Sequence, residues 1–330
     1  MVVKPVEISW HEDLPIFASE SFLKAVSDQY GWLGGFAESG ELRCVLPFTI
    51  VRRAFFRMVR FRVETIILAQ GFDTIEERAF LNDTMEYFKK IGADMIIPAT
   101  TNTLFRTYPE GADAAPYGSY IIDLSQPEDS LWGNIERITR QNIKTASKSG
   151  VSIREASELC EEAYLLIRET FKRSKLPFMS LASFKHFLSG LGDHGKILVA
   201  EYKGLAQSFV VFAYSDYCAY AIYAGNAIGQ QPGANKLLYW EAVRMFKRIG
   251  VHRYDFVGAR ISPERGSKQD ALSQLKKHFG ATLKQGYIWK RSLHPLKYRL
   301  YCLTARLRSG GDIVDAERHK LEAFRLVEKQ

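Results

Sequence analysis

A short phrase that occurs twice divides the chain into two similar halves. Residues 88–92 read Phe-Lys-Lys-Ile-Gly and residues 246–250 read Phe-Lys-Arg-Ile-Gly, 158 positions further on. A helix that ends in basic residues and stops at glycine is common by itself. The phrase indicates a repeat only if the elements around it also recur. In both halves a helical stretch, a hairpin turning near Gly40 or Gly204, and a strand come before the phrase. We therefore predict one fold unit used twice.

The order of the predicted elements indicates the fold class. Each half reads hairpin, strand, helix, strand, and hairpins need antiparallel neighbours, so a mixed sheet is favoured over a purely parallel one. We predict an α/β protein with α+β mixed sheets and a C-terminal helical segment. A strand at 120–124 followed by a polar, proline-containing connection sets the predicted domains at 1–125, 126–290 and 291–330.

Charge and composition limit the classes of function. Of the 330 residues 46% are hydrophobic and 25% charged, as in ordinary soluble globular proteins, and the net charge of +8 favours an anionic partner. The four cysteines form no Cys-x-x-Cys pair, so neither a metal site nor a disulfide framework is expected. The sequence contains no P-loop, nucleophile elbow or dinucleotide-binding fingerprint. Without an apolar run long enough to span a bilayer, we expect a cytoplasmic protein.

One predicted helix after the inter-domain connection carries two stripes. Its buried side is predicted to contain Leu131, Ile135, Ile138 and Ala146. Its basic stripe contains Arg137, Arg140, Lys144 and Lys148. Aligned cations beside a cleft between domains fit a phosphate track, and a solvated face is the alternative.

The C-terminal segment contains a second amphipathic helix. Its apolar residues, Leu296, Leu300, Leu303 and Leu307, recur at helical spacing. We predict that this helix packs back on the first domain. A peripheral contact with the inner face of the cell membrane is the minority interpretation, because basic amphipathic helices can lie in a membrane interface.

A glycine-rich loop in the second half is a candidate anion site. Residues 225–236 contain Gln230, Gly233 and Lys236 and lead into a helix. Glycines allow backbone N–H groups to face an anion, and a helix N-terminus adds positive potential. A merely structural turn is the alternative.

A single aspartate within an apolar strand is the candidate for proton chemistry. Asp255 lies in the run Tyr-Asp-Phe-Val-Gly at 254–258, and Arg260 and Lys268 follow it before the next helix. A half-buried carboxylate is costly unless it is paired or used, and its pKa can rise toward the range of a general base. Structural pairing with Arg260 or Lys268 stays open beside catalysis.

Three motifs in the second half resemble the FemABX family of peptidyltransferases, which includes lipid II:glycine glycyltransferases. They are Arg140-x-x-x-Lys144-x-Ala146 with Gly150-Val151, the run 236–258 with its Tyr-Asp-Phe-Val-Gly ending, and Gly-Ser-Lys-Gln at 266–269 followed by Leu-Lys-Lys-His-Phe-Gly at 275–280. The resemblance implies two tandem GNAT-like acyltransferase domains. It also implies transfer of an aminoacyl group from aminoacyl-tRNA, without a cofactor, to an amine on a cell-wall precursor or a related lipid- or nucleotide-linked acceptor.

The resemblance assigns expected roles to residues of this chain. Asp255 is expected to orient the amine or act as base, while Lys268 and Arg260 hold phosphate or the oxyanion. The expected substrate-binding residues are Arg140, Lys144, Tyr223, Tyr254, Arg260, Gln230, Gly233 and Lys236.

Two other functions stay open. The first is an acyl-CoA-dependent N-acyltransferase acting on an amino sugar or amino acid. Gln230-x-x-Gly233-x-Asn235 matches the pyrophosphate loop of GNAT enzymes except at its last position. The second is a catalytically inert protein that binds tRNA or polysaccharide precursors.

Overall fold

The computed structural model describes residues 1–327. The strands of the first half are β1 (Val2–Val6), β2 (Tyr30–Phe36), β3 (Leu42–Arg53), β4 (Phe56–Phe61), β5 (Ile66–Ile67), β6 (Met95–Ile96) and β7 (Asp113–Asp123). Those of the second half are β8 (Ser152–Glu155), β9 (Gly195–Tyr202), β10 (Leu205–Ser215), β11 (Cys218–Asn226), β12 (Arg253–Asp255) and β13 (Thr282–Ser292).

The helices lie between these strands and after them. They are α1 (Glu20–Val26), α2 (Thr74–Lys90), α3 (Glu128–Asn134), α4 (Arg137–Lys148), α5 (Cys160–Arg173), α6 (Leu181–Leu191), α7 (Ala234–Arg248), α8 (Lys268–His278), α9 (Pro295–Ser309) and α10 (Ile313–Val327).

The two halves repeat the same arrangement, as the sequence predicts. Strands β2, β3 and β4 are antiparallel, α2 follows, and β6 pairs parallel to β4. Strands β9, β10 and β11 are antiparallel, α7 follows, and β12 pairs parallel to β11. In each half the parallel pair is two residues long. The fold is therefore mixed α/β with two similar units.

The repeated phrase marks two equivalent helix ends. Gly92 follows α2 with φ of +75° and Gly250 follows α7 with φ of +91°. Glycine adopts this left-handed conformation without the steric cost of a Cβ, so it ends a helix readily. At the start of α2, Asp73 and Glu76 form a capping box.

Strands from both halves join the units into one sheet of thirteen strands within residues 1–327. The strand predicted at 120–124 is the end of β7, which pairs with β13 from Asp113 to Ile121 and with β12 at Ile121 to Asp123. Strand β13 continues to β6 through Arg291 and Ser292. The division into domains at residues 125 and 290 stays a prediction.

The predicted helix after the inter-domain connection is two helices. The backbone of Ile135 is extended, with φ of −69° and ψ of 135°, and separates α3 from α4. Because of this break, the buried side of α4 is not a continuation of the buried side of α3. Ile138, predicted to be buried, is 61% exposed, and Ile143 is buried instead. The expectation for Ile138 is therefore wrong.

Helix α9 packs on the first half through its aromatic side chains. Tyr298 and Tyr301 lie against a buried cluster of Met58, Met95 and Ile97. Lys297 Nζ donates to Asp94 Oδ1 at 2.8 Å. The four leucines of the predicted apolar stripe face away from these contacts and are 42% to 79% exposed.

Candidate functional site

A large cleft of about 980 Å³ lies between the two halves. Its walls come from α1, β4 and the loop 98–102 of the first half, from α6 and β11 of the second half, and from Tyr301, Asp312 and Ile313 of the C-terminal segment. The repeat-related helices α1 and α6 pack closely, because a Cβ added at Gly190 would lie 2.3 Å from Ala25 Cβ. The cleft is therefore a feature that the pairing of the two halves creates.

Two arginines without a carboxylate partner line this cleft. Arg60 lies in β4 and Arg62 lies in the bend that follows this strand, and both side chains line the cleft. Within residues 1–327 neither forms a salt bridge, and Arg60 Nε is buried without a hydrogen-bond partner. Arg62 Nε donates to Thr49 Oγ1 at 3.0 Å.

Burial lowers the pKa of both arginines. It lowers the pKa of Arg60, and together with the charge of Arg60 it lowers the pKa of Arg62 to about 9. The guanidinium group of Arg62 is thus still protonated at neutral pH. Two adjacent, half-buried cations without a counterion form a site suited to a phosphate or carboxylate.

Aromatic side chains form another part of the cleft wall. The ring centroid of Tyr223 lies 5.2 Å from that of Phe178 and 5.6 Å from that of Phe187. Phe171 and Met179 also line the cavity. Burial raises the pKa of Tyr223 to about 12, so its phenol stays protonated and can donate a hydrogen bond. The cleft thus has a cationic side and an apolar side.

A small polar pocket lies next to the cleft and contains Asp255. Its volume is about 20 Å³, which is enough for one water molecule, and Glu64 and Asp255 are both in its lining. Asn102 lines this pocket and the cleft, and its Nδ2 donates to the carbonyl oxygen of Arg62 at 2.7 Å. Asp255 is therefore separated from the cleft by a layer that includes Asn102.

Hydrogen bonds hold Asp255 in this pocket. The Ser119 hydroxyl donates to Asp255 Oδ1, and the backbone N–H of Val257 donates to the same oxygen at 2.7 Å. Neither Arg260 nor Lys268 pairs with it. Burial raises the pKa of Asp255 to about 6, against these two hydrogen bonds, which lower it.

The backbone after Asp255 is strained and is fixed by a buried lysine. Val257 has φ of +42°, a left-handed conformation that is costly for a β-branched residue. Lys276 Nζ donates to the carbonyl oxygens of Val257 and Gly258 at 2.5 and 2.7 Å. Burial lowers the pKa of Lys276 to about 8. The lysine thus stabilises the turn that follows β12.

The variant Asp255→Asn tests the raised pKa. Between pH 4 and 6 the native carboxyl binds more protons than the unfolded one, whose ordinary pKa is 3.8, so the wild type loses stability as pH rises. Asparagine does not titrate. From pH 4 to pH 7 we expect the free energy of unfolding of the variant to gain about 1–3 kcal/mol relative to wild type in urea titrations. The control Asp123→Asn should not gain, because hydrogen bonds from Ser125 lower the pKa of Asp123. A pH-independent difference would contradict the assignment.

The other predicted cations have partners outside the cleft. Arg260 Nε lies 3.1 Å from Glu317 Oε1 of α10. Lys268, exposed at the start of α8, donates to the Ser174 hydroxyl. Arg140 donates to three carbonyl oxygens at the end of α3, including that of Gly133 at 2.7 Å. Lys144 Nζ lies 5.7 Å from the centroid of the Trp132 ring.

The two predicted tyrosines have different environments. Tyr223 lines the cleft. Tyr254 is fully buried in the core of the second half and packs against Phe212 and Phe256. Because adjacent residues of a strand face opposite sides, Tyr254 and Asp255 face opposite sides of the sheet.

The glycine-rich loop is packed against α4. Gly233 precedes α7 with φ of +82°, and a Cβ added there would lie 2.4 Å from the carbonyl oxygen of Asn142. The side-chain oxygen of Gln230 is buried without a hydrogen-bond partner, and Lys236 is half-buried. Helix α4 therefore covers part of the helix N-terminus at which the acyl-CoA interpretation would place a pyrophosphate.

Sequence reasoning missed Arg60, Arg62 and Asn102. A signal was present, because Arg60 and Arg62 alternate with Val59, Phe61 and Val63 in a strand pattern. This alternation of polar and apolar residues predicts that the two arginines share a face. It does not predict which part of the protein that face contacts.

Neither a metal site nor a membrane span is indicated in the part of the chain that the structure describes. Residues 1–327 contain no cluster of three or more potential metal ligands. None of the helices described there is long and apolar enough to cross a bilayer.

Comparisons with known proteins find one family model that matches part of the chain. Residues 105–204 match the model of the FemAB family. No curated protein matches the sequence significantly. Among solved structures, FemX is 12% identical, with a TM-score of 0.67 over 91% of this chain and 99% of that chain.

Two further structures share the fold. The C-terminal domain of a putative lysylphosphatidylglycerol synthetase from Agrobacterium fabrum is 12% identical, with a TM-score of 0.53 over 89% of this chain and 98% of that chain. L-PGS from Bacillus licheniformis is 12% identical, with a TM-score of 0.50 over 85% of this chain and 90% of that chain. The FemAB match makes residues 105–204 similar to that family, and the solved structures show that the chain as a whole shares the fold of FemX.

Proposed function

We propose that the protein transfers an aminoacyl group from aminoacyl-tRNA to an amine on an anionic, lipid- or nucleotide-linked glycan precursor of the cell wall. The observation that carries this proposal is the inter-half cleft with the unpaired Arg60 and Arg62. Both substrates of such a reaction carry phosphates. The net charge of +8 would attract them to the protein.

The two sides of the cleft suggest how the acceptor binds. Arg60 and Arg62 would hold a phosphate of the acceptor, and the aromatic side with Tyr223 would hold its apolar part or the aminoacyl side chain. Binding of this kind fixes the amine against the ester carbonyl, which converts a bimolecular reaction into an effectively unimolecular one.

The reaction needs one net proton transfer. The neutral amine attacks the ester carbon, the bond from carbon to the ribose oxygen breaks, and the proton lost by the amine ends on that oxygen. Asp255 is the candidate base, because burial raises its pKa to about 6. Since Asn102 lies between Asp255 and the cleft, we propose transfer through one water in the polar pocket.

A transfer assay with two donors tests the function. Purified protein is incubated with total tRNA charged with radiolabelled amino acids, or with radiolabelled acetyl-CoA, and with a nucleotide-linked cell-wall precursor. We expect label from the tRNA in the acceptor and none from acetyl-CoA.

The other outcomes separate the alternatives. Label from acetyl-CoA alone would overturn the proposal and favour the N-acyltransferase, with residues 230–236 as its pyrophosphate loop. Binding of charged tRNA without transfer to that precursor or to phosphatidylglycerol would favour a binding protein. Phosphatidylglycerol is included because one structure of the same fold is named as a putative lysylphosphatidylglycerol synthetase.

A further inference from the structure

The outer face of α9 is an exposed apolar stripe. Leu296, Leu300, Leu303 and Leu307 recur at i, i+4, i+7 and i+11 and are 71%, 42%, 54% and 79% exposed. The opposite face of the helix is occupied, because Tyr298 and Tyr301 pack on the first half. Four leucines aligned on the free side of a docked helix are more than the scattered apolar residues of an ordinary surface.

The hairpin between β3 and β4 extends this apolar surface. Phe55 at its tip is 59% exposed, and its ring lies 4.3 Å from that of Phe56. The ring of Phe56 lies 6.4 Å from that of Tyr301 on α9, so the hairpin tip and the helix are neighbours. Ala54 precedes Phe55 with φ of +53°, in a tight turn.

Basic residues of α9 and of the β3–β4 hairpin border the apolar residues, and neither segment contains an acidic residue. Helix α9 contains Lys297, Arg299, Arg306 and Arg308 and no Asp or Glu. The hairpin tip adds Arg52 and Arg53, both exposed, and residues 50–57 also contain no acid. Phe55, the four leucines and the bordering Arg52, Arg53, Arg299 and Arg306 are here called the α9 surface.

We propose that the α9 surface docks the protein on an anionic membrane. The leucines and Phe55 would enter the boundary between headgroups and acyl chains, and the arginines would contact lipid phosphates. A second copy of this chain is a poorer occupant, because it would place two sets of arginines against each other without a carboxylate from either α9. The positive charge of the α9 surface thus favours an anionic lipid over a second copy of this chain.

The location of this surface suits the proposed transfer reaction. Tyr301, on the inner face of α9, lines the cleft, so a docked membrane would lie one helix away from the candidate acceptor site. This advantage rests on the proposed function, whereas the docking itself does not.

Vesicle sedimentation tests the docking without any assay of transfer. The full chain is mixed with vesicles of phosphatidylcholine alone or with about one-third phosphatidylglycerol, at low and moderate salt. We expect binding to the anionic vesicles only, weakened at least tenfold by Leu303→Gln with Leu307→Gln. Arg299→Gln with Arg306→Gln should weaken binding to a similar extent and reduce its salt dependence.

Matched controls remove exposed apolar or cationic groups elsewhere. Leu205→Gln with Ile228→Gln changes residues that are 68% and 86% exposed, and Lys172→Gln with Lys175→Gln removes two exposed cations. These variants should bind as wild type does. Equal losses in test and control variants, or equal binding to neutral vesicles, would overturn the proposal. A third result would also overturn the proposal. In it, the wild type forms a dimer in light scattering and does not bind vesicles, and the leucine variant is a monomer.

Discussion

Replacing Arg62 with alanine is expected to weaken binding of a diphosphate ligand by about 10–100-fold. A hydrogen bond to a charged group contributes about 1.5–3 kcal/mol, and each 1.4 kcal/mol is a factor of ten in affinity. Arg60→Ala should have an effect of the same size. The two losses should not add, because neighbouring residues that share a ligand are coupled. Calorimetric titration with uridine diphosphate and with pyrophosphate measures both.

The same substitutions should leave the fold intact or make it more stable. Two half-buried guanidinium groups without a carboxylate repel each other and lose solvation, so removing one relieves this cost. Lower affinity with an unchanged or higher melting temperature is the signature of a binding site rather than of a structural one.

An exposed arginine provides the control for the binding experiment. Arg52→Ala removes a cation from the β3–β4 hairpin, outside the cleft, and should bind uridine diphosphate as wild type does. Unchanged affinity in both Arg60→Ala and Arg62→Ala would show that the anion binds outside the cleft. The cations around Lys268 would then be the next candidates.

Replacing Lys290 with alanine is expected to lower the free energy of unfolding by about 3–5 kcal/mol. Its side chain is 1% exposed, and Nζ lies 2.8 Å from Asp312 Oδ2 and 2.6 Å from Asp315 Oδ1. Without the lysine, two partly buried carboxylates before and within α10 lose their counterion and repel each other. Denaturant titration followed by fluorescence measures the loss.

The control for Lys290 is a lysine in an exposed ion pair. Lys185 is 52% exposed and its Nζ lies 2.5 Å from Glu161 Oε1. Lys185→Ala should change the free energy of unfolding by less than about 1 kcal/mol, because solvent screens such pairs. A loss below 1 kcal/mol for Lys290→Ala as well would show that the buried pair does not hold α10 in place.

The local features of the fold could be predicted from the sequence. The repeated phrase predicts two equivalent helix ends at Gly92 and Gly250, and the spacing of Asp73 and Glu76 is typical of a helix start such as that of α2. Ser267 likewise accepts a hydrogen bond from the N–H of Asp270 at the start of α8. Helix caps and left-handed glycines are formed by residues a few positions apart, so their chemistry is complete within a short stretch of sequence.

The site could be predicted only in part, because its parts lie far apart in the chain. Tyr223 was expected in the cleft and lies there, but Tyr254 belongs to the core and the arginines of the cleft were missed. Periodicity indicates that Arg60 and Arg62 share a face. Only the packing of the second half decides that this face lines a cleft.

The sequence by itself determined the repeated order of strands and helices, the helix ends and the family resemblance. The tertiary structure alone decided that β7 and β13 join the halves into one sheet, that the leucines of α9 face outward, and that Arg60 and Arg62 meet Tyr223 across a cavity. The physical reason is the range of the interactions. Caps and periodicity act over a few residues, whereas strand pairing and burial depend on segments more than a hundred residues apart, whose contacts form only when the chain has folded.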